Sequence, residues 1–331
     1  MSLAEKKKIV YLFGAGATHA ELTNLDPDLL KEKLGLLIGN VSSRVIERAR
    51  RNKKYLTDVA MVSGTGGSLN IELLISLIEN SKICDWAYKT SHLKKLVEID
   101  IKRILTASRT NRFYLHKALL EFHEHKKTKT KEDVIGHISL NYDDVLDRAY
   151  KTMLRVEPNY CFSLEIDAPT FHNIPLLKLH GSFNWESQKI RGKTRRIEII
   201  PLGASKSYLH APYGFIWNRA LEILIECDAL RIIGCSLNPN DVHLIDLLFK
   251  AHLERSKAFD IEIVDFEPTG DEIRKNYGFF RQINTWSQLE GGSMADPNPP
   301  NPFKTWLKYK SIGLLGEDSI KETRHLKKVM R

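Results

Sequence analysis

Three apolar runs in this 331-residue chain each end on a short polar stretch, and that repeated pattern restricts the fold more than any other feature. Ile9 to Phe13 leads into Gly14-Ala15-Gly16-Ala17-Thr18, Val134 to Leu140 into Asn141-Tyr142-Asp143, and Ile174 to Leu179 into His180-Gly181. Short apolar runs bounded by turn residues read as buried strands. In an open parallel sheet, ligands bind outside the carboxyl ends of the strands, so polar ends remote in sequence can surround one ligand. Two later runs repeat the pattern. Ala229 to Ile233 is closed by Gly234-Cys235-Ser236-Leu237, and Ile261 to Phe266, read as the last strand, ends near Asp265. Arg195 to Ile200 reads as one more strand, ended by Pro201.

Helical patterns fill most of the remainder. Helices are predicted over Val41 to Lys54, from an Asn70 N-cap to Glu79, and over Leu93 to Thr106. Leu115, Ala118, Leu119 and Phe122 recur at helical spacing, and Asp143 to Leu154 and Asp241 to Leu253 follow strands. Trp217, Ala220, Leu221, Leu224 and Ile225 form another stripe, whereas Pro158 to Asn173 reads as irregular. Strands alternating with helices indicate an α/β fold, a Rossmann-like doubly wound parallel sheet. Residues 20–131 separate the first two strands, far more chain than a crossover needs. They are read as a large helical insertion, a second domain or lid, beside a sheet domain of residues 1–19 and 132–287. Gln288 to Pro302 is rich in Gly and Pro and reads as a linker to a helical tail, so 288–331 forms the third segment.

Composition excludes several classes. No apolar run approaches the ~20 residues that span a bilayer, and Ile9 to Phe13 is too brief for a signal-peptide core. A cytoplasmic protein without membrane contact is expected. Cys84, Cys161, Cys227 and Cys235 are scattered with no C-x-x-C pair, which argues against a zinc ribbon or a disulfide framework. The net charge of +9 gathers in clusters such as Lys6 to Lys8, Arg48 to Lys54 and Lys126 to Lys131. Interspersed acids make most of these solvated surface, and direct nucleic-acid contact stays open. The loop Ser63 to Ser68 has the composition of a phosphate loop but no lysine at the required spacing.

The strand ends carry the chemistry. Gly14 and Gly16 permit a tight turn and close approach of a diphosphate, with a helix N-terminus behind it. The dinucleotide fingerprint wants a third glycine where this chain has His19, so that match fails. Asn141 is either a turn cap or a fixed amide for a ribose hydroxyl or water. Asp143 either binds a carboxamide N–H or, like Asp144, caps the next helix. His180 is either a structural histidine or a proton acceptor near neutral pH. Ser236 suits a phosphate or ribose, and Asp265 suits ribose hydroxyls.

The order of these stretches resembles the sirtuin family. Gly14 to Thr18 resembles its G-A-G-[IA]-[ST] turn, and Ser139 to Asp143 its [TS]-x-N-x-D stretch. His180-Gly181 matches its H-G pair, Gly234 to Leu237 its G-x-S-L turn, and Asp265 its ribose-reading position. The flanks Lys178 to Trp185 and Asn70 to Leu74 are similar to the divergent sirtuin-like branch of prokaryotic antiphage defence. The four-cysteine zinc module of the deacylases is missing, and Ala20-Glu21-Leu22-Thr23-Asn24 replaces their I-P-x-F-R loop. The resemblance therefore implies an NAD hydrolase that cleaves the nicotinamide–ribose bond, with NAD as substrate and no zinc. It implies Asn141 and His180 as catalytic residues, and Gly14, Ala15, Gly16, Thr18, Asp143, Gly234, Ser236 and Asp265 as NAD-binding residues. It further implies a conditional effector, a homo-oligomer or a chain controlled by a separate sensor such as a HerA-like ATPase or an Argonaute-type protein. The alternatives are an NAD-dependent deacylase or ADP-ribosyltransferase and a non-catalytic nucleotide-binding subunit. A hydride-transfer dehydrogenase ranks below them because the third glycine is absent.

Overall fold

Lys7-Lys8-Ile9-Val10-Tyr11-Leu12-Phe13 forms the central strand of a parallel sheet, and its last five residues are buried. The computed structural model describes residues 6–25, 36–51, 70–72, 74–75, 86–107, 113–124, 132–162, 171–185, 189–190, 193–194, 199–200, 211–239, 241–265, 271–280, 283–286 and 301–331. In chain order these form β1 (Lys7–Phe13), α1 (Ala15–Leu25), α2 (Ile38–Arg50), α3 (Trp86–Ala107), α4 (Leu115–Glu124), β2 (Glu132–Ser139) and α5 (Val145–Met153). Next come β3 (Glu157–Asn159), β4 (Phe171–Lys178), a small antiparallel pair β5 (Lys189–Ile190) and β6 (Lys193–Thr194), α6 (Tyr213–Glu226) and β7 (Ala229–Ile233). The chain continues through α7 (Val242–Glu254), β8 (Asp260–Val264), α8 (Asp271–Asn276), β9 (Ile283–Trp286), α9 (Pro302–Leu315), α10 (Glu317–Lys321) and α11 (Leu326–Val329).

The sheet order is β3-β4-β2-β1-β7-β8-β9, with every pairing parallel. Without the short edge strand β3, this is the third-second-first-fourth-fifth-sixth order of the dinucleotide-binding fold. The chain leaves β1 towards β2 and β4, then returns beside β1 as β7. The chain therefore turns one way after β1 and the other way after β7, which puts the switch point of the sheet at the carboxyl edge between them. The expected doubly wound architecture is thus present.

Two readings change, and others fall outside the described residues. Ile261 to Phe266 is not the last strand, because β9 pairs with β8 beyond it. Residues within Pro158 to Asn173 contribute to β3 and β4. The strand expected over Arg195 to Ile200, the loop Ser63 to Ser68 and the interior of the Asn70 helix lie wholly or largely outside the described residues.

Two apolar clusters organise the packing. The first surrounds the sheet and takes in α4, α6 and α7. It also includes Phe303, Trp306 and Leu307, so the tail helix is part of the sheet core. Asn301 fixes its start: Oδ1 accepts Lys304 N–H at 3.0 Å, and Nδ2 donates to Ala20 O at 2.7 Å. Glu121 caps the start of α11 by accepting from His325 N and Leu326 N at 2.7 and 2.8 Å. Such caps satisfy amides that a helix start leaves open. The second cluster is helical: Val41, Val45, Ile46 and Ala49 of α2 meet Val97, Ile101, Ile104 and Leu105 of α3, with Ile71 and Leu74. Arg44 and Asp100 join α2 to α3 at 2.8 Å. Asn70 Oδ1 accepts Glu72 N–H at 2.8 Å, the N-cap contact expected of it. Tyr142, Val145 and Phe183, all near strand ends of the sheet, belong to this second cluster and tie it to the carboxyl edge. Among the described residues no helix is long and apolar enough to cross a membrane.

Candidate active site

The glycine turn after β1 is held by the end of β7. Gly14 N–H donates to Ile233 O and Gly16 N–H to Gly234 O, both at 2.9 Å. A Cβ on Gly14 would lie 2.3 Å from Gly234 O, and one on Gly16 2.6 Å from Gly234 Cα. Gly234 itself has φ +63°, and a Cβ there would lie 2.2 Å from Ala17 N. These glycines let two backbones touch at the switch point of the sheet. This differs from the expectation of open amides for a diphosphate, because both N–H groups are engaged by carbonyls. Ala15, exposed at the start of α1, is the residue of this turn left facing outward. Gly234→Ala is expected to lower stability by about 3 kcal/mol or more, from left-handed strain plus a backbone clash. Chemical denaturation measures this, and an unchanged midpoint would mean that turn and strand end can separate freely.

Asn141 follows β2 and reaches back to the same turn. Its Nδ2 donates to Gly14 O at 2.9 Å and to Thr18 Oγ1 at 3.1 Å. Both amide hydrogens are thereby used, and Oδ1 is the acceptor that remains. Thr18 passes the chain on, donating to Asp143 Oδ2 at 2.9 Å. Asp143 Oδ1 accepts Val145 N–H at 3.0 Å, holding the first amide of α5 from the residue before the Asp144 N-cap, whose own side chain makes no cap bond. Burial raises the Asp143 carboxyl above its ordinary range, while Lys178 pulls it back down. Lys178 is fully buried, donates to Asp143 O and meets Asp147 Oδ2 at 3.0 Å. Asp143 is therefore anchored at both oxygens, and Thr18 works through it and Asn141.

His180 follows β4. Gly181, at φ +84°, turns the chain there, and a Cβ on it would lie 2.3 Å from Tyr213 Oη. The imidazole is 1% exposed, and its Nε2 lies 3.1 Å from Asp241 Oδ2, itself buried. Trp217 and Tyr142 flank the ring edge-to-face at 6.1 and 6.4 Å. The Tyr142 phenol is pushed well up by burial and by Glu72, so it keeps its proton and donates to Glu72 Oε1 at 2.8 Å.

One cavity of about 490 Å³ lies over these strand ends. Its size falls in the range of small-molecule sites, ~300–1,000 Å³. The sheet side is polar: Asn141, Asp143, Ser236, Asn238, Asp241 and Asp265, with Gly14, Ala15 and Gly16. The helical side is apolar, from Leu36, Leu37, Ile38, Val41, Val97 and Ile101, with Glu72 among them. The structure thus gathers Asn141, the glycine turn, Asp143, Gly234, Ser236 and Asp265 around one space. Thr18 and His180 stand behind the wall, Thr18 bonded to Asn141 and His180 to Asp241. Sequence reasoning took Asp241 only as a helix start. It does cap α7, accepting from Leu244 N, but the same carboxylate links His180 to the cavity. Its signal was the short distance in sequence from the Gly234 turn. Glu72 and the apolar wall were legible only as insertion core. Cys235 also lines the cavity, but burial pushes its thiol up to about 11, so it is no thiolate nucleophile at neutral pH.

No known family profile matches this chain, and no curated protein matches it. Solved structures similar to it include Sir2 enzymes. A structure addressing the mechanism and regulation of Sir2 enzymes shares 16% identity over 93% of this chain and 95% of that one, with a TM-score of 0.34. A Sir2 homologue in complex with NAD shares 14% identity over 85% of this chain and 84% of that one, with a TM-score of 0.37.

Proposed function

We propose that this protein is an NAD hydrolase that cleaves the nicotinamide–ribose bond to give nicotinamide and ADP-ribose. The observation that carries the reading is the Asn141 amide. Its two N–H groups are fixed by Gly14 O and Thr18 Oγ1, and it stands with Asp241, the partner of His180, on one cavity wall. A fixed acceptor oxygen lining the same cavity as the carboxylate of a buried histidine–carboxylate pair suits the orientation and deprotonation of one water or hydroxyl.

In the reaction, the bond between ribose C1′ and the pyridinium nitrogen breaks, and its electron pair neutralises the leaving nicotinamide. C1′ carries positive charge in the transition state, and carboxylates along the wall stabilise it. Water oxygen then bonds to C1′, and its proton passes to the His180–Asp241 pair, reached from the cavity through Asp241. Asn141 Oδ1 orients that water or a ribose hydroxyl. Ala15, Gly16 and the α1 N-terminus lie by the diphosphate, and Ser236 and Asp265 take the adenosine side. Residues 1–19 and 132–287 hold the dinucleotide, and the insertion closes over it with its apolar wall. The resemblance to defence sirtuins supports a role as a conditional effector that drains NAD during phage infection, governed by oligomerisation or a separate sensor protein.

Four carboxylates, Glu72, Asp143, Asp241 and Asp265, line the cavity, and among its described lining residues there is no lysine or arginine. A 2′-phosphate would meet acidic groups with no lysine or arginine among those described lining residues to offset them. Turnover of NADP is therefore expected to fall at least about tenfold below that of NAD in kcat/KM. Equal use of both would contradict the placement of Asp265 beside the ribose. The activity itself is tested by following free nicotinamide from NAD, with and without an acyl-lysine peptide. Release without peptide supports hydrolysis, and release only with peptide would replace it by deacylation.

A further inference from the structure

Helix α7 buries one face and leaves the other apolar. Leu244, Leu247, Leu248 and Ala251 are buried, whereas Val242, Phe249 and Leu253 are 52%, 43% and 65% exposed. At 3.6 residues per turn those three fall within about 40° of one another on the helix surface. The half-buried Phe279 widens the patch, its ring 5.9 Å from that of Phe249. Scattered exposed apolar residues are ordinary, but three aligned on one stripe are a surface shaped to be covered. Along one flank of this stripe lie Asp246 and Lys250, 2.7 Å apart and both about half exposed.

We propose that this face of α7 pairs with the same face of a second copy of this chain, with the two helices antiparallel across a two-fold axis. An isologous interface sets residue i against j and j against i. With the axis between Asp246 and Lys250, Asp246 of one copy faces the partner's Lys250, and Lys250 faces the partner's Asp246. The two Phe249 rings come close to the axis. In a parallel two-fold pairing the two charged flanks would lie on opposite sides of the seam and would not meet. The charge order therefore selects a self-complementary antiparallel partner over a generic apolar one. Exposed ion pairs add little affinity, so the stripe supplies the attraction and the charges set register and direction. The interface also adjoins the cavity, because Val242 follows Asp241, the residue bonded to His180.

The test is the solution mass of the full chain over a concentration series, by light scattering or sedimentation. The wild type is expected to form a dimer, or a larger even assembly, and Phe249→Glu to halve that mass with its far-UV spectrum unchanged. Asp246→Lys alone and Lys250→Asp alone are each expected to lose the pairing, and the double swap to restore it. Mixing the two single variants is expected to give a one-to-one heterodimer. A wild-type monomer at every concentration would overturn the proposal. So would charge variants that keep the wild-type mass, or a double swap as monomeric as the singles. The mass readout is independent of NAD turnover, so the interface and the proposed activity stand or fall separately.

Discussion

Asn141→Ala is expected to lower nicotinamide release by about 10²–10³-fold while leaving the affinity for NAD within a few-fold, because the lost group orients the reacting oxygen. The amide sits where β2 ends, and its N–H groups bridge to the turn after β1. Its removal takes away two hydrogen bonds of about 1 kcal/mol each, which leaves the sheet intact. Rate and stability therefore separate: a modest drop in melting temperature accompanies a large loss of turnover. Wild-type rates from a folded Asn141→Ala protein would remove Asn141 from the chemistry.

Asp241→Asn is expected to lower kcat by about 10²–10⁴-fold, the range over which an oriented acid–base group acts. Asparagine is as good an N-cap as aspartate, so the start of α7 is kept. It cannot supply a negative charge 3.1 Å from the His180 ring. A melting temperature that stays near that of the wild type, beside a large loss of kcat, distinguishes a positioning role from structural damage. His180→Ala should lose as much activity as Asp241→Asn, and the double variant little more, as expected of groups that act as a unit. Additive losses would mean that the two side chains serve different steps.

The sequence made the strand ends legible because each central strand is a short apolar run closed by a glycine or a polar residue. β1, β2, β4, β7 and β8 are of this kind, and they set the order of the sheet. β3 and β9 escaped notice for a physical reason. They are edge strands of three and four residues, Glu157-Pro158-Asn159 and Ile283-Asn284-Thr285-Trp286, with no apolar run to mark them. The tail read as a helical segment after a linker because Gly and Pro precede it. Its anchoring depends on long-range contacts, from Asn301 to α1 and from Glu121 to the start of α11, which no local pattern reveals. The site divided in the same way. Asn141 and the glycines stood out through their position after strands. The use of the Gly14 and Gly16 amides by β7 required the sheet order, and the partnership of His180 with Asp241 required residues 61 apart to meet. His19, at the place of the third glycine, is buried, and burial lowers its pKa to about 4, so it sits there neutral at physiological pH.

The most direct measurement is a crystal structure of the protein with NAD bound. The nicotinamide riboside is expected in the cavity over the strand ends, with C1′ between Asn141 Oδ1 and Asp241 and the diphosphate beside Ala15. NAD bound elsewhere on the chain, or a cavity that excludes it at saturating concentration, would contradict the account.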